Sequence, residues 1–258
     1  MRGLCLTGGG ARGAWQAGAL LRAVERGAKW DLVTGTSVGA VNLAGLGCVG
    51  AETLAELWLA IEGKRDVMRL NWPMPYFWDG FNNFGPLRSW LGRVCQGDSA
   101  VKGWVTHVDT RTLAVGYTGI HDTPREKFLD AVIGSCVVVG MQSPFNGLVD
   151  GGHREFAPVQ KLIMEGATEI DVISTSPLTE QFEPESKPVG MFPILWNIGR
   201  GIAALAHEVW LRDLEQARSA GVKIRVYAPK YALPDPMDYS HRTISESFVM
   251  GYGYSHDK

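Results

Sequence analysis

Short apolar runs alternate with amphipathic stretches along most of the chain. Leu4 to Thr7 reads as a buried strand that ends in Gly8-Gly9-Gly10. Ala11 to Arg26 repeats Ala14, Ala17, Leu21 and Val24 on one helical face, and Gly27 supplies a stop. Asp31 to Gly35 is a second short strand, which turns through Gly35-Thr36-Ser37-Val38-Gly39 into a helix of small residues reaching Cys48. Ala51 to Glu62 carries Leu54, Leu57, Trp58 and Ile61 at helical spacing. Further along, Trp104 to Val108 and Leu113 to Tyr117 pattern as a strand pair. Thr123-Pro124-Arg125-Glu126 has the form of a capping box opening a helix to Ser135. Val137 to Val139 reads as a short strand, Pro158 to Glu165 as a helix and Ile170 to Ser174 as a buried strand. Ile194 to Ser219 reads as a long amphipathic helix and Val222 to Tyr227 as the last strand.

Three segments resist such patterning. Asn71 to Phe84 crowds Trp72, Tyr76, Phe77, Trp78, Phe81 and Phe84 around prolines, and suits either a lid at a lipid boundary or aromatics packed on a sheet. Thr175 to Pro193 is proline-rich and reads as a loop. The tail from Tyr231 reads as irregular. The alternation predicts an α/β fold, a three-layer α/β/α sandwich with a mostly parallel central sheet, in one domain spanning residues 1–258. Sites in such sheets form at the carboxyl ends of strands, where both glycine-rich turns fall.

Composition narrows the function. The 258 residues are 45% hydrophobic and 20% charged, with a net charge of -2, which argues against disorder and against a dedicated nucleic-acid binder. The cysteines Cys5, Cys48, Cys95 and Cys136 form no C-x-x-C pair and read as free thiols in a reducing compartment. No signal peptide and no apolar run of membrane-spanning length is evident in the sequence, so the expectation is a cytoplasmic protein with at most peripheral membrane contact. Glycine is in excess, at 32 residues, where average usage gives about 18.

Two of those glycine clusters carry chemistry. Gly35-Thr36-Ser37-Val38-Gly39 fits G-x-S-x-G, a tight strand-to-helix turn that lifts a serine hydroxyl clear of the backbone beside free helix N–H groups. Gly8-Gly9-Gly10-Ala11-Arg12-Gly13 reads either as an oxyanion loop or as a G-x-G-x-x-G dinucleotide turn. The second reading makes the chain an NAD(P)-binding oxidoreductase. Gly45, Gly47 and Gly50 satisfy the same glycine pattern with no strand before them. Arg12 lies in a helix first turn, where a cation is unfavourable, which gives it a task in holding the loop or pairing with an anion. Asp150-Gly151-Gly152 is in isolation a tight turn. Of the histidines, none has a local signature; Ser37, Asp150 and His241 follow the chain order of an α/β-hydrolase triad.

Taken in order, the glycine loop, the Ser37 turn and the Asp150 turn resemble the patatin-like phospholipase family. The resemblance extends to Val105–Thr112 and Val222–Pro229. It implies a calcium-independent lipid acyl hydrolase of phospholipase A or lysophospholipase type, working through an acyl-enzyme and a Ser–Asp dyad without histidine, cofactor or metal. Carried over, Ser37 is the nucleophile and Asp150 its base, with Gly9, Gly10, Ala11, Arg12 and Val38 around the oxyanion. The implied partner is a phospholipid or other lipid ester, with transient membrane-surface contact and no nucleic acid. A catalytically silent lipid-binding protein is the further alternative. The sequence departs from the family pattern at Ser135-Cys136-Val137-Val138-Val139, which stands for Ser-x-Ala-x-Pro. It departs again after the Asp150 turn, where His153 to Pro158 replaces an Asn-containing stretch.

Overall fold

A computed structural model describes residues 1–71, 80–178 and 193–254, with side chains from 204 onward in the helix that begins at Pro193. Strand β1 (Arg2–Leu6) lies mid-sheet between β2 (Leu32–Thr36) and β8 (Glu169–Ile173). Beyond β8 comes β9 (Lys223–Tyr227); beyond β2 come β5 (Lys102–Asp109) and β6 (Val115–Gly119). The pairings of β1 with β2 and β8, of β2 with β5 and of β8 with β9 are parallel. Strand β6 and the three-residue β7 (Leu148–Asp150) run antiparallel to β5.

Alternation along β1 feeds two cores. Leu4 and Leu6 join the larger one with Trp15 of α1 (Gly13–Glu25), Leu43 of α2 (Val38–Leu59), Leu129 of α5 (Arg125–Ser135) and Ile244 of α8 (His241–Tyr252). Cys5 faces the other with Leu162 of α6 (Val159–Met164) and Trp210 of α7 (Pro193–Ser219). Helices therefore cover both sheet faces, as the alternating pattern predicts.

Helix α2 decides where the next segment goes. Gly50 breaks it at φ 80° and ψ 173°, and the second limb folds back on the first. A Cβ on Gly45 would stand 2.6 Å from Leu54, and Trp58 Nε1 donates to Asn42 Oδ1 at 2.7 Å. Among the described residues α2 alone is long and apolar enough to cross a membrane, but 72% of that window is buried inside the protein. The reversal delivers α3 (Lys64–Val67), the small hairpin of β3 (Arg69–Leu70) with β4 (Asn82–Asn83), and α4 (Gly85–Val94) to the carboxyl end of the sheet.

Several expectations change. The tail is not irregular, because α8 packs Gly251 onto the Trp15 carbonyl and Phe248 over Gly18. Val137 to Val139 makes only an isolated bridge to Gln142, and the strand there is β7. No Thr123 cap forms; α5 starts after Pro124, and Glu126 pairs with Arg88 instead. Cys48 and Cys95 are disulfide-bonded across 47 residues, with only Cys5 and Cys136 free and buried, so the reading of four free thiols fails for two of them. Most of the aromatic segment, residues 72–79, and residues 179–192 of the proline-rich loop lie outside the described residues. At the edge of the former, Phe84 is buried and Phe81 is 42% exposed.

Candidate active site

Strand β5 brings the two catalytic candidates together. Along one of its edges β2 pairs until Thr36 faces Thr106, where the chain turns away at Ser37. On that same edge β7 approaches from the opposite direction and ends with Asp150 facing His107. β6 occupies the other edge over these residues. Ser37 and Asp150 thus stand where two collinear strand ends abut, held by successive residues of a third strand.

The elbow at Ser37 is built by exclusion. Its φ is 56° and ψ -125°, a conformation that costs a non-glycine residue about 1–3 kcal/mol and persists only where its surroundings enforce it. A Cβ at Gly35 would run into the Gly39 carbonyl, and one at Gly39 into the Leu6 carbonyl. The Ser37 N–H donates to Ser135 Oγ at 2.8 Å, and Ser135 Oγ donates to the Thr106 carbonyl at 2.6 Å. Ser135 was not among the residues singled out from sequence. The Ser-x-Ala-x-Pro comparison touches it, yet only its contact with the elbow reveals its role.

Asp150 is 7% exposed, and its Oδ1 accepts the Gly152 N–H at 2.7 Å. Burial raises its pKa; hydrogen bonding from the Ser37 side chain, then the Gly152 amide and the charge of His153, pull the other way. A carboxylate kept short of water in this way is a stronger base than a solvated one. Gly151 lies so close that a Cβ would be 2.6 Å from the Thr106 carbonyl. The Asp150 N–H donates to the Val137 carbonyl at 2.8 Å.

The glycine loop faces the same space. Gly9 has φ 148° and Gly10 φ 57°, and a Cβ on either would collide with Thr175 or Pro236 respectively. The Ala11 amide is taken by the Pro236 carbonyl at 2.8 Å and the Arg12 amide by the Gly9 carbonyl at 3.2 Å. Of the five oxyanion candidates, Gly9, Gly10 and Val38 are left with amides that neither bond occupies. Val38 is the first residue of α2, at its positive end. Arg12 Nε donates to the Pro234 carbonyl at 2.8 Å, so it ties the loop to the segment before α8. Gly13 meets Val38 and Trp58. The third glycine of the dinucleotide pattern therefore serves helix packing, and β2 ends in Thr36 rather than an acid.

These groups open into a cavity of about 1880 Å³. Gly8, Gly9, Gly10, Arg12, Ser37, Val38 and Asp150 line its floor, and Trp58, Met68, Phe84, Trp90 and Leu233 belong to its largely apolar wall. His153 and His207 also line it. His241, the histidine of the triad order, does not; it bonds the Ile61 carbonyl at 3.2 Å. His107, opposite Asp150 in register, turns to Thr118 Oγ1 at 2.9 Å, and burial lowers its pKa. Among the described residues no group of three or more His, Cys, Asp or Glu is placed to share a metal ion.

Below the floor lies a buried acidic pair. Glu155 accepts the Tyr117 hydroxyl at 2.6 Å, and its carbonyl accepts Thr36 Oγ1 at 3.1 Å. Asp213 accepts the Ala157 N–H at 2.9 Å and pairs with Arg212. Burial pushes Glu155 up to about 7 and Asp213 up to about 6.

The patatin-like phospholipase model matches residues 4–163. No curated protein matches the sequence. Among solved structures, VipD from Legionella pneumophila superimposes with a TM-score of 0.47 at 13% identity, covering 97% of this chain and 65% of VipD.

Proposed function

The chain belongs to the patatin-like phospholipase family, a family of lipid acyl hydrolases, and from that premise we propose that it cleaves phospholipid or related lipid esters with Ser37 as nucleophile and Asp150 as base. The observation that carries the reading is the meeting of the Ser37 elbow and the buried Asp150 at abutting strand ends, under a large apolar cavity.

In this reading Ser37 Oγ attacks the ester carbonyl as its proton passes to Asp150. The tetrahedral oxyanion is met by the N–H groups of Gly9, Gly10 and Val38, which are fixed before reaction and so need no reorganisation. Asp150 then gives its proton to the departing alcohol, leaving an acyl-Ser37 ester. Water then attacks that ester as Asp150 takes a proton from the water, and collapse of the second tetrahedral intermediate returns that proton from Asp150 to Ser37 Oγ as the carboxylic acid product leaves. No step uses histidine or calcium.

A fluorophosphonate probe should label the protein, and Ser37→Ala should abolish labelling. Asp150→Asn should lower kcat by about a thousandfold or more, as removal of a base does in other serine hydrolases. Hydrolysis retained in either variant rejects the dyad. Chelator should leave the rate unchanged; a loss restored by calcium rejects the metal-free mechanism.

A further inference from the structure

The chain carries a net charge of -2, yet the cavity mouth is cationic. Lys64 and Arg65 of α3, Arg69 of β3 and Arg93 of α4 line the same cavity as Ser37, and all four are exposed. Among the described residues none of them is in an ion pair. Other arginines are spent structurally. Arg88, on the same helix as Arg93, is bound by Asp130 and Glu126, and Arg2 and Arg225 hold the buried Asp171.

The acids of the lining do not cancel these charges by contact. Asp66 accepts the Glu62 and Gly63 N–H groups at 2.9 and 3.0 Å. Asp235 accepts the Met237 N–H at 2.7 Å. Asp150 belongs to the floor.

The basic segment is also joined to the floor. Arg69 faces Asn83 in the β3–β4 hairpin, and the neighbouring Asn82 bridges to Gln142. Gln142 Oε1 accepts the Val138 N–H at 2.9 Å, and the Val137 carbonyl accepts the Asp150 N–H. Arg69 therefore stands at the cavity on a hairpin connected by successive bonds to Asp150, with Lys64 and Arg65 just before it in the chain and Arg93 on α4 lining the same cavity.

From this we infer that Lys64, Arg65, Arg69 and Arg93 form a subsite for the headgroup of an acidic lipid substrate, one whose phosphate is not balanced by an amine. This rests on the hydrolase reading and narrows its substrate. Acyl chains fill the apolar wall, the ester sits over Ser37, and the anionic headgroup remains at the rim. Arginine suits this place because its planar fork donates two parallel hydrogen bonds to a phosphate.

The test compares short-chain phosphatidylglycerol and phosphatidylcholine with identical acyl groups, both kept below their micellar concentrations. The intact protein should prefer the acidic lipid by about tenfold in kcat/KM, the scale of a few exposed charge contacts. The preference should shrink as salt rises. Arg65→Gln/Arg69→Gln should bring the ratio close to one, mainly by raising KM for the acidic lipid. Arg69→Lys should keep much of it, and Arg125→Gln, off the cavity, should keep all of it. Equal kcat/KM for the two lipids in the intact protein, or an unchanged ratio in the double variant, overturns the subsite. So does a charge effect confined to vesicles, which marks the rim as a membrane contact instead. Calorimetric binding of the same two monomeric lipids to Ser37→Ala separates the two readings. Preferential binding of the acidic lipid supports the subsite even if no hydrolysis is found; equal binding overturns it while leaving the hydrolase reading to the probe experiment.

Discussion

The floor and the mouth of the cavity are built on opposite plans. The floor is backbone: two strand ends meeting on β5, an elbow at φ 56°, and glycines with no room for a Cβ. The mouth is side chain: short elements, exposed cations, and glycines such as Gly63 with nothing within 4 Å of a Cβ position. The floor's geometry is therefore set by close backbone contacts, whereas the mouth presents exposed side chains with room around them. On the proposed reading, chemistry falls to the tightly packed part and substrate preference to the exposed part.

The sharpest test of that contrast exchanges like for like. Gly39→Ala drives a methyl group against the Leu6 and Thr7 carbonyls and should cost about 4 kcal/mol or more, the range of severe core lesions. Gly63→Ala should change stability by about 1 kcal/mol or less. Thermal melts of both decide it; similar melting temperatures would remove the distinction.

Next in size is the disulfide that ties the turn of α2 to the end of α4. Closing a loop of 47 residues is worth about 4 kcal/mol in the chain-entropy picture. Cys48→Ser should lower the denaturation midpoint accordingly. Well below that midpoint, fluorophosphonate labelling should persist, because the floor does not use the strap. Labelling lost in the folded variant would show that floor and mouth are one unit.

The third test concerns pH. Glu155 goes from an ordinary value of 4.5 to about 7 on burial, so the folded protein keeps a proton that the unfolded chain gives up. Stability should then be highest below pH 4.5 for this group and fall as pH rises to about 7, by about 3 kcal/mol in total. Asp213, raised to about 6, adds to the same slope. Glu155→Gln should flatten the stability profile between these values, and an unchanged slope would put the titration elsewhere.

The smallest effect is expected at Ser135. Ser135→Ala strips the acceptor from the Ser37 N–H and the donor from the Thr106 carbonyl, a loss of about 1–3 kcal/mol. If the floor governs chemistry, kcat should fall by about tenfold with KM almost unchanged; a KM effect would place Ser135 with the mouth.

What could be read from sequence follows the same division. β1, α1, β2 and the start of α2 were legible because each is specified by its own residues: an apolar run, a helical stripe, a glycine pair around Ser37. The motif residues Ser37 and Asp150 were legible for that reason too. β7 was not, since a strand of three residues has no periodicity and exists through its pairing with β5. The Cys48–Cys95 link, the Ser135 contact and the packing of α8 on α1 are likewise properties of distant partners. Gly45 and Gly50 likewise have their roles only in the doubled-back α2, one glycine admitting Leu54 and the other making the turn.

Strand β5 contributes no side chain to the proposed chemistry, yet Thr106 and His107 fix how far Ser37 stands from Asp150. It works as a ruler. A ruler is defined by its length and not by its markings, so β5 can accept many substitutions that preserve an extended, buried strand. It cannot accept an insertion or deletion between those two residues, because a slip of one position in a strand carries every later side chain to the opposite face. Variation in this protein is therefore constrained at β5 in residue count far more than in residue identity.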